Sequence, residues 1–321
     1  FKTHPKTRGL GHIGKSYGVA HDTYGLLMHS TYALTPNGLP IGLLDQEIWA
    51  RKDAIKSKKS RNNKRYKENS ERPIEEKESF KWIRALKKTT TVASTESTSV
   101  IHIADREADI YELFCEASRS ATSYIVRANH DRKVNKSTRR SNSGENLWDF
   151  IAKETPVGTT SVRVSGKQDQ IERDAVCDVS FSSFTLTAPT QKTSTKDSYL
   201  EDTSLTAISV KESCPPVNCE AIEWVLLTNL PVTDLGGALQ IITWYSYRWQ
   251  IEVFFKEIKQ TLQLCDFLGQ NKNAILWQVW SALILYVLLR FLAFMNSWKY
   301  GFKRFFCLLR SSVWENVLVT S

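Results

Sequence analysis

The sequence predicts an α/β fold, and three observations carry that prediction. Residues 99–104 are a short apolar, β-branched run that passes through Asp105 into a helical stretch at 108–117, a strand-into-helix unit. From residue 122 to about 235 the pattern alternates or runs apolar in short pieces between clusters of Ser, Thr, Pro and Gly. Helical periodicity returns near Leu235 and continues towards the end of the chain. The architecture reads as α/β, then a long β-rich insertion, then helices. At 321 residues the chain is long enough to bury one large core or two smaller ones.

The elements follow in order. Residues 24–34 read as a strand, Pro36-Asn37-Gly38 as a turn and 39–49 as the returning strand. Between Arg51 and Lys67 nine Lys or Arg residues stand against one Asp, which fits either a solvated loop or an arm that touches DNA. Helical spacing through Phe80, Ile83 and Leu86 marks residues 75–88. Asp105 falls at the carboxyl end of a strand, where ligands bind in α/β sheets, or else caps the helix that follows. Glu107 and Asp109 read as charges complementing that helix's dipole. Strands are expected at 122–127, 160–165, 174–187, 204–212 and 222–228, with 189–202 the least regular piece. Residues 274–295 read as a buried core helix, because their unbroken apolar run, 282–289, is too short to span a bilayer. A last helical stretch is expected at 313–317.

The formal net charge of +9 favours an anionic partner such as nucleic acid. Ten Trp, eleven Tyr and fourteen Phe are too many for a disordered basic protein. The six cysteines include no Cys-x-x-Cys pair, which argues against a zinc ribbon or a disulfide framework and for a reducing compartment. No secretory signal is visible, and a start at Phe1 reads as an interior fragment of a longer product.

The most informative segment runs from Tyr245 to Lys259. On a single helix Tyr245, Arg248, Glu252 and Lys259 fall within roughly 60° of one another. Ile251, Phe254, Phe255, Ile258 and Leu262 form a separate apolar stripe. A carboxylate, a guanidinium, an ammonium and a phenol on one face suit a divalent metal held beside phosphates. The plainer alternative is an amphipathic helix with an i, i+4 ion pair.

The block Ile103-Ala104-Asp105-Arg106-Glu107-Ala108-Asp109-Ile110 and the spacing Tyr245-x2-Arg248-x3-Glu252-x6-Lys259 resemble the DDE transposases of bacterial insertion sequences. The likeness is closest to the IS-four group with its YREK signature. It extends in collinear order through 25–30, 38–44, 76–79 with Trp82, 223–228 and 278–283. It implies an RNase H-like mixed sheet with flanking helices, and a β-rich insertion between the second Asp and the catalytic Glu. On this reading 1–120 is the first part of the catalytic core, 121–234 the insertion and 235–321 the helical remainder of the core. Asp105 is implied as the second metal-binding Asp and Glu252 as the catalytic Glu, with two Mg²⁺ ions in the complete enzyme and Mn²⁺ able to substitute. Tyr245, Arg248 and Lys259 would hold phosphates near the element end, and Trp224 would stack on a flipped base. Arg127 matches a DNA-contacting Arg, and His130 and the Arg132-Lys133 pair are softer candidates. Composition alone leaves Trp224 equally suited to core packing and Arg127 to a strand surface.

The resemblance further implies double-stranded DNA as partner, both terminal inverted repeats and target, with a homodimer when synapsed on DNA and no membrane. It places the protein in the bacterial cytoplasm at the nucleoid. The family's first catalytic Asp lies on a strand upstream of the segment that residues 1–14 resemble, and neither Asp22 nor Asp45 occupies that strand. Two expectations follow. One is a fragment of a cut-and-paste transposase, inactive alone for want of that Asp. The other is a non-catalytic DNA-binding remnant.

Overall fold

The strands between Gly11 and Trp49 pair as two antiparallel ladders. In the computed structural model β1 (Gly11–Lys15) runs antiparallel to β2 (Asp22–Gly25), and β3 (Leu27–Leu34) to β4 (Pro40–Trp49). The strand expected at 24–34 is thus two strands, parted at Leu26. Gly38 takes φ 79° in the β3–β4 turn, a conformation that costs glycine little. The structure describes residues 9–15, 22–51, 72–95, 98–138, 143–164, 172–189, 200–264, 266–269 and 271–319. The basic stretch from residue 52 to 67 lies outside the described residues, as does most of 189–202. The chain forms two units, Asn62–Arg248 and a second of Phe1–Arg61 with Trp249–Ser321.

The unit Asn62–Arg248 is built on a six-stranded mixed sheet. After α1 (Phe80–Thr95), β5 (Ile101–Ala104) leads through a 3₁₀ turn, Arg106–Ala108, into α2 (Tyr111–Arg119) and then β6 (Ser123–Arg127). β5 and β6 are parallel, as a helical crossover requires. A small ladder of β7 (Lys133–Val134) with β8 (Glu145–Asn146) precedes α3 (Leu147–Ala152). Then come β9 (Gly158–Val164), β10 (Arg173–Leu186), β11 (Thr203–Glu212), β12 (Glu223–Thr228) and α4 (Leu235–Ser246). The sheet order is β5-β6-β12-β11-β10-β9, antiparallel except for the first pair. The stretch read as β-rich is therefore continuous with β5 in one sheet.

Period-two alternation gives the sheet two apolar faces. Tyr124, Val126, Leu205, Ala207 and Leu227 enter the core beneath α1, α2 and α3. Ile125, Ile208, Val210 and Leu226 enter the opposite core, where α4 contributes Ala238, Ile241, Ile242 and Tyr245. Side chains from distant segments pin the β6–β12 seam. Tyr124 N–H donates to Asn229 Oδ1 at 3.0 Å, the Asn229 amide donates to Thr122 O at 2.9 Å, and Thr228 Oγ1 donates to Tyr124 O at 2.6 Å.

Asp109 departs from its expected role. Its carboxylate is not a solvated charge on the dipole of α2 but is wholly buried. It accepts from the backbone N–H groups of Asn129 and His130 at 2.7 and 2.9 Å and pairs with the Arg132 guanidinium, which also reaches Asp109 O at 2.7 Å. The helix expected from 108 starts at Tyr111 with Ile110 as its cap, so Asp109 precedes the helical N–H groups. Glu107 instead meets Lys81 at 2.8 Å. A second buried acid, Glu212, accepts both arms of Arg173 at 2.9 and 2.8 Å and the N–H of Ile222 at 2.9 Å.

In the other unit, α5 (Trp249–Gln260), α6 (Lys272–Met295) and α7 (Phe302–Val319) share a core with β3 and β4. Phe254, Ile258, Tyr286 and Phe302 are at its centre. The segment expected as a buried core helix is α6, and it buries one stripe only: Ile275, Val279, Leu283, Tyr286 and Leu289. Its other face is open, with Trp277 76% and Phe294 77% exposed. By length and composition α6 is apolar enough to cross a membrane. The sequence alone did not separate these faces because both are apolar, which erases the amphipathic signal.

Removing one partner of a buried ion pair strands the other, at a cost of about 3–5 kcal/mol. Asp109→Ala is expected to lose that much in urea denaturation, and a loss under about 1 kcal/mol would contradict the assignment. Arg173 holds the Glu212 carboxyl below its ordinary value of 4.5. A depressed folded pKa means that this stabilisation is complete above 4.5 and fades as pH falls through the lower folded value. Glu212→Gln should accordingly lower stability at neutral pH and flatten its decline in acid, as read from denaturation midpoints across pH.

Candidate functional site

Asp105 sits directly after β5, with φ −83° and ψ −169°. Its Oδ1 accepts from the N–H of Glu107 at 2.9 Å, so the carboxylate caps the 3₁₀ turn. Its second oxygen makes no hydrogen bond among the described residues. The two readings of Asp105, cap and ligand, are compatible, because one oxygen fixes the side chain while the other is presented.

Four of the residues implied by the resemblance gather around this strand end. Tyr245, in the last turn of α4, is buried at 4% exposure. Its phenol interacts through side-chain hydrogen bonds with both Arg248 and Arg127 and lies within electrostatic reach of Asp105. Burial raises the phenol's pKa, the two guanidinium groups oppose that rise, and Asp105 adds to it. Trp224, half-buried on β12, meets Tyr245 edge-on with ring centroids 5.4 Å apart. Arg127, on neighbouring β6, places its guanidinium 6.0 Å from the Trp224 ring and donates to Glu223 O at 2.9 Å.

Burial lowers the pKa of Arg127, the nearby charges of Arg106 and Arg248 lower it further, and Tyr245 works the other way. Arg106 is an exposed residue that sequence reasoning passed over. Its position directly after Asp105 was the signal that marks it. Three guanidinium groups within electrostatic reach of one another form a positive cluster that favours an anion.

His130 is exposed, and its backbone N–H, not its ring, is held by Asp109. Arg132 is committed to the buried Asp109 carboxylate, and Lys133 lies exposed at the start of β7.

The single helix expected over 245–259 is two helices. α4 ends at Ser246, and the N–H groups of Tyr247 and Arg248 bond back to Trp244 O and Tyr245 O at 3.1 and 3.0 Å before α5 begins at Trp249. These are tightened, three-residue bonds that close a helix. The cause lies in the side chains: Tyr245 packs in the core beneath α4, Phe254 in the core of the other unit. Tyr245 and Arg248 thus belong with Asp105, Arg127 and Trp224, while Glu252 and Lys259 lie on α5 in the second unit. There Glu252 is partly buried and Lys259 exposed, its ammonium 5.6 Å from the Phe255 ring. Among the described residues no three His, Cys, Asp or Glu side chains gather as a ligand set.

Comparison with known proteins places these residues in context. Residues 39–288 match the family described as Transposase DDE domain. A segment of 59 residues, 18% of this chain, is 48% identical to 17% of "Putative transposase y4zB" of Sinorhizobium fredii. Another of 63 residues, 19% of the chain, is 43% identical to 17% of "Probable transposase for insertion sequence element IS5377" of Geobacillus stearothermophilus. A third of 74 residues, 22% of the chain, is 36% identical to 22% of "Putative transposase for insertion sequence element IS4SA" of Synechocystis. The matched segments thus span 17–22% of the length of these relatives. Because the family match runs unbroken from β4 through Asp105 and Glu252 into α6, the chain belongs to the DDE transposase domain family, a family of enzymes.

Proposed function

We propose that this chain is a fragment of the phosphodiester-cleaving and strand-joining core of a cut-and-paste transposase of the IS-four group. In this reading the sheet is RNase H-like, 121–234 is the insertion and 235–321 completes the core. The observation that carries it is the cluster in which Tyr245 meets Arg127, Arg248 and Trp224 within electrostatic reach of Asp105. A carboxylate near arginines suits a backbone phosphate with a metal ion beside it.

Family membership implies divalent metal ions, and the donor chemistry at Asp105 fits one: a hard oxygen, held in place by its partner oxygen and left open. Asp105 and Glu252 are the proposed ligands, with Mg²⁺ the expected ion and Mn²⁺ a substitute. When bound, two such ions would activate the attacking oxygen and share the charge of the leaving one. The protein's own work is positioning. Arg127 and Arg248 hold phosphate oxygens, Tyr245 holds both arginines in place, and Lys259 adds a further cation. Trp224 offers a ring to an unstacked base, worth about 1–3 kcal/mol in such stacking. His130, in the stretch after β6, is a further DNA contact in this reading.

The proposed substrate is double-stranded DNA, the element ends first and target DNA afterwards, with a homodimer formed on synapsis in the bacterial nucleoid. By residue match this chain offers two of the family's three acids. A second reading, a DNA-binding remnant without metal chemistry, draws on the same arginine pocket, which binds phosphate with no ion.

In a longer protein that carries this sequence together with the family's first Asp, cleavage of end-containing duplex DNA in Mg²⁺ separates the two readings. The transposase reading expects nicking that Asp105→Asn and Glu252→Gln abolish while binding persists; binding with no nicking in Mg²⁺ or Mn²⁺ leaves the remnant. Arg127→Ala and Arg248→Ala should each flatten the salt dependence of duplex binding, reducing its log–log slope by about 0.9 for every phosphate that is no longer neutralised. An unchanged slope would remove that arginine from the DNA surface.

A further inference from the structure

α5 carries Glu252 and Lys259 on one side and is anchored from the other. Phe254 is fully buried, stacked on Tyr32 of β3 at 5.1 Å and edge-on to Tyr286 of α6 at 5.0 Å. On a 3.6-residue helix Phe254 is about 160° from Glu252. Apolar packing of this kind sets how deep the helix lies, but being non-directional it resists rotation about the axis weakly.

Rotation is instead fixed by a polar network. Glu257, about 140° round the helix from Glu252, accepts at Oε2 from Tyr286 Oη at 2.9 Å and from Arg290 Nη2 at 2.5 Å. Arg290 Nε donates to Tyr286 Oη at 3.0 Å, and the Tyr32 and Tyr286 hydroxyls are 2.8 Å apart. Tyr286 is fully buried, and Arg290 also lies 5.0 Å from the Phe302 ring of α7. With Tyr286 donating to Glu257, its oxygen accepts from Tyr32 and Arg290, so every bond has a consistent direction. The network ties α5 to α6 and β3 through bonds that tolerate little misalignment.

We propose that Glu257 is a positioning residue: with Arg290, Tyr286 and Tyr32 it sets the rotation of α5 and hence the direction in which Glu252 and Lys259 are presented. This rests on the reading of Glu252 and Lys259 as site residues. The lever is large. With side chains reaching about 5–6 Å from a helix axis, a turn of about 20° moves their ends by about 2 Å, and about 1 Å is enough to impair a catalytic arrangement. A buried ionic network replaced by apolar groups of similar volume often leaves stability unchanged or improved. Network and fold are therefore separable by experiment.

The test uses the full chain, a fluorescein-labelled DNA duplex and thermal melting. Glu257→Met/Arg290→Met is expected to keep the melting temperature and cooperativity. It should weaken duplex binding about threefold to tenfold and lower the log–log salt slope by about 0.9, the share of one phosphate. Lys259→Ala should then add nothing, whereas in the parent chain it costs the same amount. Glu257→Gln, which keeps an acceptor for Tyr286, should restore most of the binding. A folded double variant with the parent slope overturns the proposal. So does a weakened slope that appears only together with a lowered melting temperature in both the Met and the Gln variants. If Lys259→Ala has no effect in the parent chain, the site reading itself has failed, and the inference falls with it.

Discussion

A carboxylate buried away from solvent holds the Asp105 site together. Asp109 is sealed from solvent, and an unpaired charge there would be prohibitively costly. The structure satisfies it with two backbone N–H groups from the loop after β6 and with Arg132. Those bonds bind the turn that follows β5 to the loop that follows β6. The ends of two parallel strands are thereby fixed side by side, and Asp105 and Arg127 are fixed with them.

On that frame the sheet's alternation does the rest. Ile125 and Leu226 turn towards α4, and so the last turn of α4 brings Tyr245 against Trp224. The arginines that converge there repel one another, and partial burial denies Arg127 much of the water that would screen them. Tyr245 relieves this in part. The cluster is left short of negative charge.

Much of this was legible from the amino acids. The strand-into-helix unit ending at Asp105, the turn at Gly38, and the strands at 174–187, 204–212 and 222–228 all announced themselves by apolar runs and turn residues. Trp224, Arg127 and Tyr245 were named from a resemblance, and the fold brings them together. Three features were not legible, each for a physical reason. Asp109 looks like any acid near a helix start, because burial leaves no local mark in sequence. The break at Tyr247 follows from two cores competing for one segment, a tertiary cause acting on a helical pattern. The two faces of α6 are alike in composition, so no periodicity separates the covered stripe from the open one.

The strand order has a kinetic consequence. β9, β10, β11 and β12 are successive in the chain and adjacent in the sheet, so each ladder among them closes over a modest loop. The β6–β12 seam joins residues far apart in the chain, such as Thr228 and Tyr124. Contact order therefore favours the four-stranded meander as the earlier product of folding, with β5 and β6 docking onto a finished edge. Until that docking is complete Arg127 and Trp224 belong to separate pieces, so the cluster around Tyr245 is assembled late, as the slow, long-range step of this unit's maturation.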